Sequence, residues 1–532
     1  MLKPKKTFAA VLAVIMTVIF ASPAFCAAAP TENIPILRVR SNIEGLSYTA
    51  EDGNRYGLYD DGEYVSAIVD AALPYAALGL ATGNWDKWCD AAWEQMKPAY
   101  EHFKPDAQGN LPAESPAAEY REASEYVRTD KYDVKDAYVV FLDQRTSPMD
   151  MAEHINDVVE QIKAETGHDK IHLVGQCMGA SYMMAYLYKY QAGKNYSDIE
   201  SVTLSTITSN GTPGEDALFS GTLRFDLESS YRVLSVYDMP DAIDNIAGGA
   251  LLQVIYDTLD LLYNSNLSQK ATIALAQKIY DGVKDGFIAR LLKEYYGRCG
   301  GYVSLVTDHY EQYKDYVFPT AEDKALYGGQ IAKFDDFRYN VQMRQADIIR
   351  DMQRCGVNVT CVAQYGYQYV FLGCGELGLE TSDGVVPVSR ATFGATAACF
   401  GDKLSDEYVR EREAAGFGRY ISPDREIDAS TCLLPDATWF VKNLSHSFDG
   451  SEPYMDLITA VTRTPGANVE KLEAQGYSQF SYNDTDAYAI YPLTGEETNV
   501  RTPASPKTQS YFRSLIALFK SLFALIKALV VR

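Results

Sequence analysis

The chain is expected to fold as an α/β protein, a doubly wound and mostly parallel sheet with a helical insertion between two of its strands. Three observations carry that expectation. Short β-rich runs alternate with amphipathic stretches through residues 34–215. An apolar run ends in the turn Gly175-Gln176-Cys177-Met178-Gly179, which opens directly onto a helical-looking segment. Strand-like sequence then resumes at 357–364, after a long helical block.

In chain order, 34–39 and 138–142 read as strands, the second fully apolar enough to be buried. Residues 149–166 place Met151, Ile155, Val158, Val159 and Ile162 at helical spacing. The strand 171–174 leads into the turn, 180–190 follows as a helix, and 199–205 is the next strand. Strand, helix, strand, turn, helix, strand is the order that right-handed crossovers of a parallel sheet produce. The first part of the core therefore spans 29–214. From 215 to 354 the character changes to long stretches rich in leucine and tyrosine, such as 250–263 and 270–296, expected as a helical cap over the carboxyl ends of the strands. The second part of the core spans 355–450, and 451–507 reads as a small polar closing segment and linker.

The two ends have their own signatures. Lys3, Lys5 and Lys6 precede an apolar run at 8–20 and then small residues, the layout of a secretory signal over 1–28. Phe25 before Cys26 argues against a lipid-attachment site, so the mature chain is expected to be exported, secreted and soluble for most of its length. At the other end, Arg513, Lys520 and Lys527 stand seven residues apart in an otherwise apolar stretch. That spacing puts three cations on one narrow stripe of a basic amphipathic helix at 508–532. It is read either as a tail, 511–532, in peripheral contact with a membrane or envelope surface, or as a packed terminal helix.

With 47% apolar and 22% charged residues, the chain has the composition of a globular enzyme. A net charge of −23 argues against nucleic acid as a partner, because phosphate binding needs a basic surface. Past the leader, Cys89, Cys177, Cys299, Cys355, Cys361, Cys374, Cys399 and Cys432 remain. If Cys177 is reactive, an odd number is left to pair. Their spacing suggests neither a metal site nor a cofactor, and none is expected.

The turn at 175–179 carries the chemistry. Its flanking glycines allow strand and helix backbones to come close, which leaves the central side chain at the tip of the corner. Cys177 is the candidate nucleophile. The helix that follows points its N-terminal amides at the sulfur, and the Met178 N–H is the firmer oxyanion donor. A second donor is sought in the loop after the first strand, at Ser41 or Asn42. A nucleophile of this kind needs a base and an acid. Asp383, in Thr381-Ser382-Asp383-Gly384-Val385-Val386-Pro387, is the leading acid, and His446, in a polar loop after a hydrophobic run, the leading base. His102, His154, His168 and His172 come before the nucleophile, and His309 belongs to the helical block and precedes Asp383.

Taken with 141–148 (Phe-Leu-Asp-Gln-Arg-Thr-Ser-Pro), 170–179, 206–214 and 383–387, the chain resembles the α/β-hydrolase superfamily. Within it, the Asp143-Gln144-Arg145 turn and the Asp-Gly-x-Val-Pro loop look most like lipase and lecithin:cholesterol acyltransferase members. The resemblance covers roughly 34–215 and 355–450 and implies acyl-ester chemistry, with Cys177, Asp383 and His446 in the places of nucleophile, acid and base and an acyl ester or lipid as substrate. Most lipases have serine where this chain has Cys177. Sulfur leaves a thioester intermediate, so thioesterase or acyltransferase activity stays open beside hydrolysis. A binding or scaffold protein that kept the fold and lost efficient chemistry is the rival from another class.

Overall fold

A computed structural model describes residues 34–41, 47–49, 55–57, 61–101, 103–111, 120–122, 137–225, 269–369, 378–446 and 452–497. The expected leader, the stretch 250–263, His102, Cys374, Asn42 and the basic tail 508–532 lie outside these residues.

Nine strands form the central sheet: β1 (Ile36–Ser41), β2 (Tyr120–Glu122), β3 (Ala137–Leu142), β4 (Ile171–Gln176), β5 (Ile199–Ser205), β6 (Asn358–Tyr365), β7 (Thr438–Lys442), β8 (Phe480–Asp484) and β9 (Ala489–Pro492). Their order is β9-β8-β7-β6-β5-β4-β1-β3-β2. Every pairing from β3 to β8 is parallel, and β2 and β9 close the two edges antiparallel. This is the mostly parallel α/β architecture expected. From β1 the chain moves outward to β3, then crosses back over β1 to β4. Strand order therefore reverses between β1 and β4, and in open parallel sheets the ligand crevice lies beyond the carboxyl ends at such a point.

Side chains of β4 divide between two cores because successive residues point to opposite faces. Leu173 joins Leu37, Val39 and Leu204 against α1 (Pro148–Thr166) and α2 (Gly179–Tyr186), whereas Val174 joins Ile36 and Val362 against α4 (Glu452–Arg463). All six residues of β4 are buried. Both faces are covered, which is why the strand is buried along its whole length. Helix α1 begins where Ser147 accepts the Met149 N–H at 3.2 Å with Pro148 at the first helical position, and it ends at Gly167 in the left-handed region. Between them Ala152, Ile155, Val158, Val159 and Ile162 bury one stripe.

Between β5 and β6 the described chain is helical, starting with α3 (Pro213–Phe219) and including Gln269–Val283, Gly328–Asn340 and Gln345–Arg354. It docks on loops at the carboxyl edge of the sheet. The amides of Gly300 and Gly301 donate to the carbonyls of Arg145 (3.2 Å) and Gln144 (2.7 Å), and Thr212 N–H donates to Leu305 O at 3.0 Å. Beneath that seam Arg145, 1% exposed, grips Asp143 through Nε at 2.9 Å and caps the Phe103 carbonyl at 3.1 Å.

Residues 451–507 contribute more than the polar closing segment expected. Helix α4 buries Tyr454, Met455, Leu457, Ile458, Ala460 and Val461 against the sheet, and β8 and β9 extend the sheet itself. These strands escape a hydrophobicity reading because β8, Phe-Ser-Tyr-Asn-Asp, lies near the edge and spends its polar groups on neighbouring loops. Facing α4, the sheet is also unusually polar: His172 Nδ1 lies 2.7 Å from Ser201 Oγ, and Thr203 Oγ1 meets Thr360 (3.0 Å) and Thr462 (2.9 Å). Burial pushes the His172 imidazole down to about 3, so it stays neutral and structural.

The Arg145–Asp143 pair yields a stability test. Removing one partner strands the other charge in the interior, so Asp143→Ala is expected to cost about 3–5 kcal/mol. Asp143→Ala combined with Arg145→Met should cost clearly less. Urea unfolding midpoints of the three proteins check this.

Candidate active site

Cys177 follows β4 directly and has a φ of 51°, a left-handed conformation that a side-chain-bearing residue adopts only where the surroundings enforce it. The enforcement comes from the two glycines. A Cβ on Gly179 would lie 2.6 Å from the Val39 carbonyl carbon and 2.7 Å from Arg40 Cα, and one on Gly175 would lie 2.9 Å from Ala180 Cα. The start of α2 is thus pressed against the end of β1. The Cys177 N–H is held by Ser205 O at 3.2 Å, and the Cys177 carbonyl accepts from Ala180 N–H at 3.1 Å. With its backbone pinned on both sides, the sulfur projects from the switch point between β1 and β4.

His446 comes from the loop after β7. Asn443, with φ of 59°, turns the chain, and its N–H donates to Tyr365 O at 2.8 Å. Its amide then exchanges hydrogen bonds with Asn483 of β8: Asn443 Nδ2 to Asn483 O at 2.8 Å, and Asn483 Nδ2 to Asn443 O at 3.0 Å. The His446 N–H donates to Asp383 O at 2.9 Å. Asp383 is 1% exposed. Its Oδ1 accepts the Val385 and Val386 amides at 2.9 and 2.7 Å, which leaves Oδ2 to meet His446 Nδ1 at 2.8 Å. On the far side of the ring, His446 Nε2 lies 2.9 Å from Cys177 Sγ.

The three side chains singled out from sequence therefore converge in one line, carboxylate to imidazole to sulfur. An acceptor-only carboxylate at Nδ1 requires the proton there and leaves Nε2 to exchange a proton with the sulfur. Burial by itself would depress the basicity of His446. The negative sulfur of Cys177 and the Asp383 carboxylate outweigh it and hold the imidazole well above its ordinary range. An imidazole held protonated in this way stands with Nε2 in reach of the sulfur, 2.9 Å away, for proton exchange.

The Met178 N–H points from the start of α2 and has no hydrogen-bond acceptor among the described residues. Ser41 ends β1, the strand whose Val39 and Arg40 touch Gly179, so its backbone lies at the same rim. The Ser41 side chain and Asn42 lie outside what is described. Of the other histidines, His172 is bound to Ser201, and His309 Nδ1 is held by Asp216 Oδ2 at 2.5 Å.

Two further residues were missed from sequence. Asn483 lies in the segment read as a polar closure. Glu215 is buried at 5% exposure, and burial pushes its carboxyl up to about 8 against the opposing pull of its own backbone amide and of the His446 charge. Thr212-Pro213-Gly214-Glu215 has the spacing of a capping box, a signal that assigns both polar side chains to helix α3. Instead the Thr212 side chain leaves the backbone uncapped and its Oγ1 donates to Glu215 Oε2.

Compared with known proteins, the chain matches no family model, and no curated protein matches it.

The raised proton affinity of His446 predicts a pH dependence with a definite sign. The imidazole keeps its charge through neutrality and loses it as pH rises through its folded-state value, well above the ordinary range. Iodoacetamide should therefore modify Cys177 readily at about pH 6.5, and His446→Ala should slow that reaction by about tenfold or more, the equivalent of one pKa unit. The exposed Cys355 serves as an internal control whose rate stays unchanged in peptide mass spectrometry.

Proposed function

We propose that the chain is an acyl hydrolase of the α/β-hydrolase type, working through a Cys177–His446–Asp383 triad and a thioester intermediate. The observation that carries this reading is the continuous contact from Asp383 Oδ2 through His446 to Cys177 Sγ, at 2.8 and 2.9 Å, at the carboxyl edge where strand order reverses. The helical segment that docks on the same edge supports its reading as a cap that shapes an acyl site.

In this mechanism the thiolate of Cys177 attacks the acyl carbonyl, and the developing oxyanion takes the Met178 N–H, with the Ser41–Asn42 loop as second donor. His446 hands its proton from Nε2 to the departing alkoxide, which leaves a thioester on Sγ. The imidazole, held by Asp383, next removes a proton from water as the water attacks the thioester. Collapse of that second adduct releases the acid and restores the thiol.

Sulfur also favours a second outcome from the same site. A thioester passes its acyl group readily to an alcohol, amine or thiol, so acyl transfer is retained as the alternative second half-reaction. The leader at 1–28 and the basic stripe at 511–532 support an exported enzyme that meets an ester or lipid substrate at a membrane or envelope surface.

A panel of nitrophenyl esters and acyl thioesters of increasing chain length tests the reading. Wild type should release nitrophenol, Cys177→Ala should lose at least about a thousandfold in kcat/KM, and Cys177→Ser should retain measurable turnover. Equal rates in wild type and Cys177→Ala would overturn it, in favour of a scaffold that merely keeps the fold. Product analysis with an added alcohol separates hydrolysis from transfer.

A further inference from the structure

Tyr365 ends β6 and Lys442 ends β7, and the two are register partners at the carboxyl edge of the sheet. One carboxylate oxygen joins them. Asp424 Oδ2 accepts from Lys442 Nζ at 2.8 Å and from the Tyr365 hydroxyl at 3.0 Å, and Lys442 Nζ also donates to Glu426 Oε1 at 2.7 Å. The other oxygen of Asp424 is fixed within its own loop, where Oδ1 accepts the Ser422 hydroxyl at 2.6 Å and the Glu426 N–H at 3.2 Å. All four side chains are buried, with Lys442 only 2% exposed. Burial alone would push the Lys442 amine toward neutrality, but Asp424 and Glu426 outweigh it and hold the ammonium above its ordinary value. Two residues earlier on the same face, Ala363 and Phe440 pair as ordinary apolar neighbours. An apolar pair at 365 and 442 would serve stability as well or better, because charges of this kind repay at best the cost of their own desolvation. What the ionic cluster adds is a fixed direction and distance between two strand ends.

Those two ends deliver the acid and the base. Past Tyr365 the chain turns at Gly366, with φ of 98°, and Tyr367–Gln368 pairs antiparallel with Thr381–Ser382, the residues just before Asp383. Gly366 N–H donates to Thr381 Oγ1 at 3.2 Å. Past Lys442 the chain turns at Asn443, whose N–H donates to Tyr365 O at 2.8 Å, and reaches His446 three residues later. The two turns are in contact: a Cβ on Gly366 would lie 3.0 Å from Asn443 N and 3.1 Å from Lys442 Cγ. We infer that Asp424 is a positioning residue of the site, a brace that grips Tyr365 and Lys442 together and so sets the spacing between the arm that carries Asp383 and the arm that carries His446. This deepens the proposed function and rests on Asp383 and His446 acting there on Cys177. The arms meet through two bonds, His446 N–H to Asp383 O at 2.9 Å and His446 Nδ1 to Asp383 Oδ2 at 2.8 Å, and both depend on that spacing. A displacement of about 1 Å can cost on the order of a hundredfold in rate, so a brace outside the reacting groups has room to matter.

The experiment compares the full wild-type chain with Tyr365→Phe and with an uncharged triple variant, Lys442→Met, Asp424→Asn and Glu426→Gln. Asp424→Asn keeps an oxygen for the Ser422 hydroxyl and the Glu426 amide, and no charge is left stranded, so the triple variant should unfold near the wild-type temperature. Asp143→Ala is the destabilised control, because Asp143 follows β3, which β1, β4 and β5 separate from β6. Three quantities are read: the unfolding temperature, the rate at which iodoacetamide modifies Cys177, and kcat and KM on a nitrophenyl ester. In the triple variant the modification rate and kcat should both fall by about tenfold or more with KM within about twofold of wild type, and Tyr365→Phe should lose about threefold. Asp143→Ala should keep the wild-type rates well below its unfolding temperature. Wild-type rates in a folded triple variant would overturn the inference, and so would a slowing that Asp143→Ala shares in full, which marks a general loss of stability. Should the triple variant fail to fold, Tyr365→Phe decides by the same readings, because it removes one hydroxyl and no charge. Modification of Cys177 needs no ester. Failure of the proposed function therefore shows as a chain that turns over no ester and yet reacts more slowly without the brace, whereas failure of this inference shows as ester turnover that is the same with and without it.

Discussion

The close approach of β1 to the first turn of α2 is the constraint on which the site depends. Two backbones that nearly touch at Gly179 leave Cys177 no alternative to the left-handed region, and the strain is held by Ser205 on one side and Ala180 on the other. From that fixed sulfur the remaining geometry follows. The imidazole must arrive from beyond β7 and the carboxylate from beyond β6, because those strands lie in order on the same side of the switch point. What keeps them there is a set of backbone bonds rather than packing alone: Asp383 uses one oxygen on its own turn, and Asn443 is tied to Asn483 by two reciprocal amide bonds.

Much of this was legible from the chain. The apolar β4 and the glycines at 175 and 179 announce a tight strand-to-helix corner by composition, since only glycine tolerates such proximity. Chain order then reduced six histidines to His446, and the Asp-Gly turn at 383 gained its meaning from its place between nucleophile and base. The boundaries of β3 to β6 and of α1 were within a few residues of the expected ones because periodicity and caps agree there.

The remainder was hidden for physical reasons. Glu215 sits in a pattern whose local meaning is a helix cap, which gives no hint that its carboxyl is buried and bonded to the Thr212 hydroxyl. Asn483 belongs to a polar strand one place in from the sheet edge, where hydrophobic alternation is absent and pairing is decided by the adjacent strands. The polar layer of His172, Ser201, Thr203 and Thr360 looks from sequence like four unrelated residues, and only the register of β4, β5 and β6 stacks them under Thr462 of α4.

Acylation of the sulfur is the event that the whole account requires. Intact-protein and peptide mass spectrometry after a brief exposure to a nitrophenyl ester reads it directly. The account predicts one acyl mass added per chain, located on the Cys177 peptide, cleared by hydroxylamine at neutral pH and formed far more slowly in His446→Ala. Turnover of the ester with the label on another residue, or with none on Cys177, would contradict it.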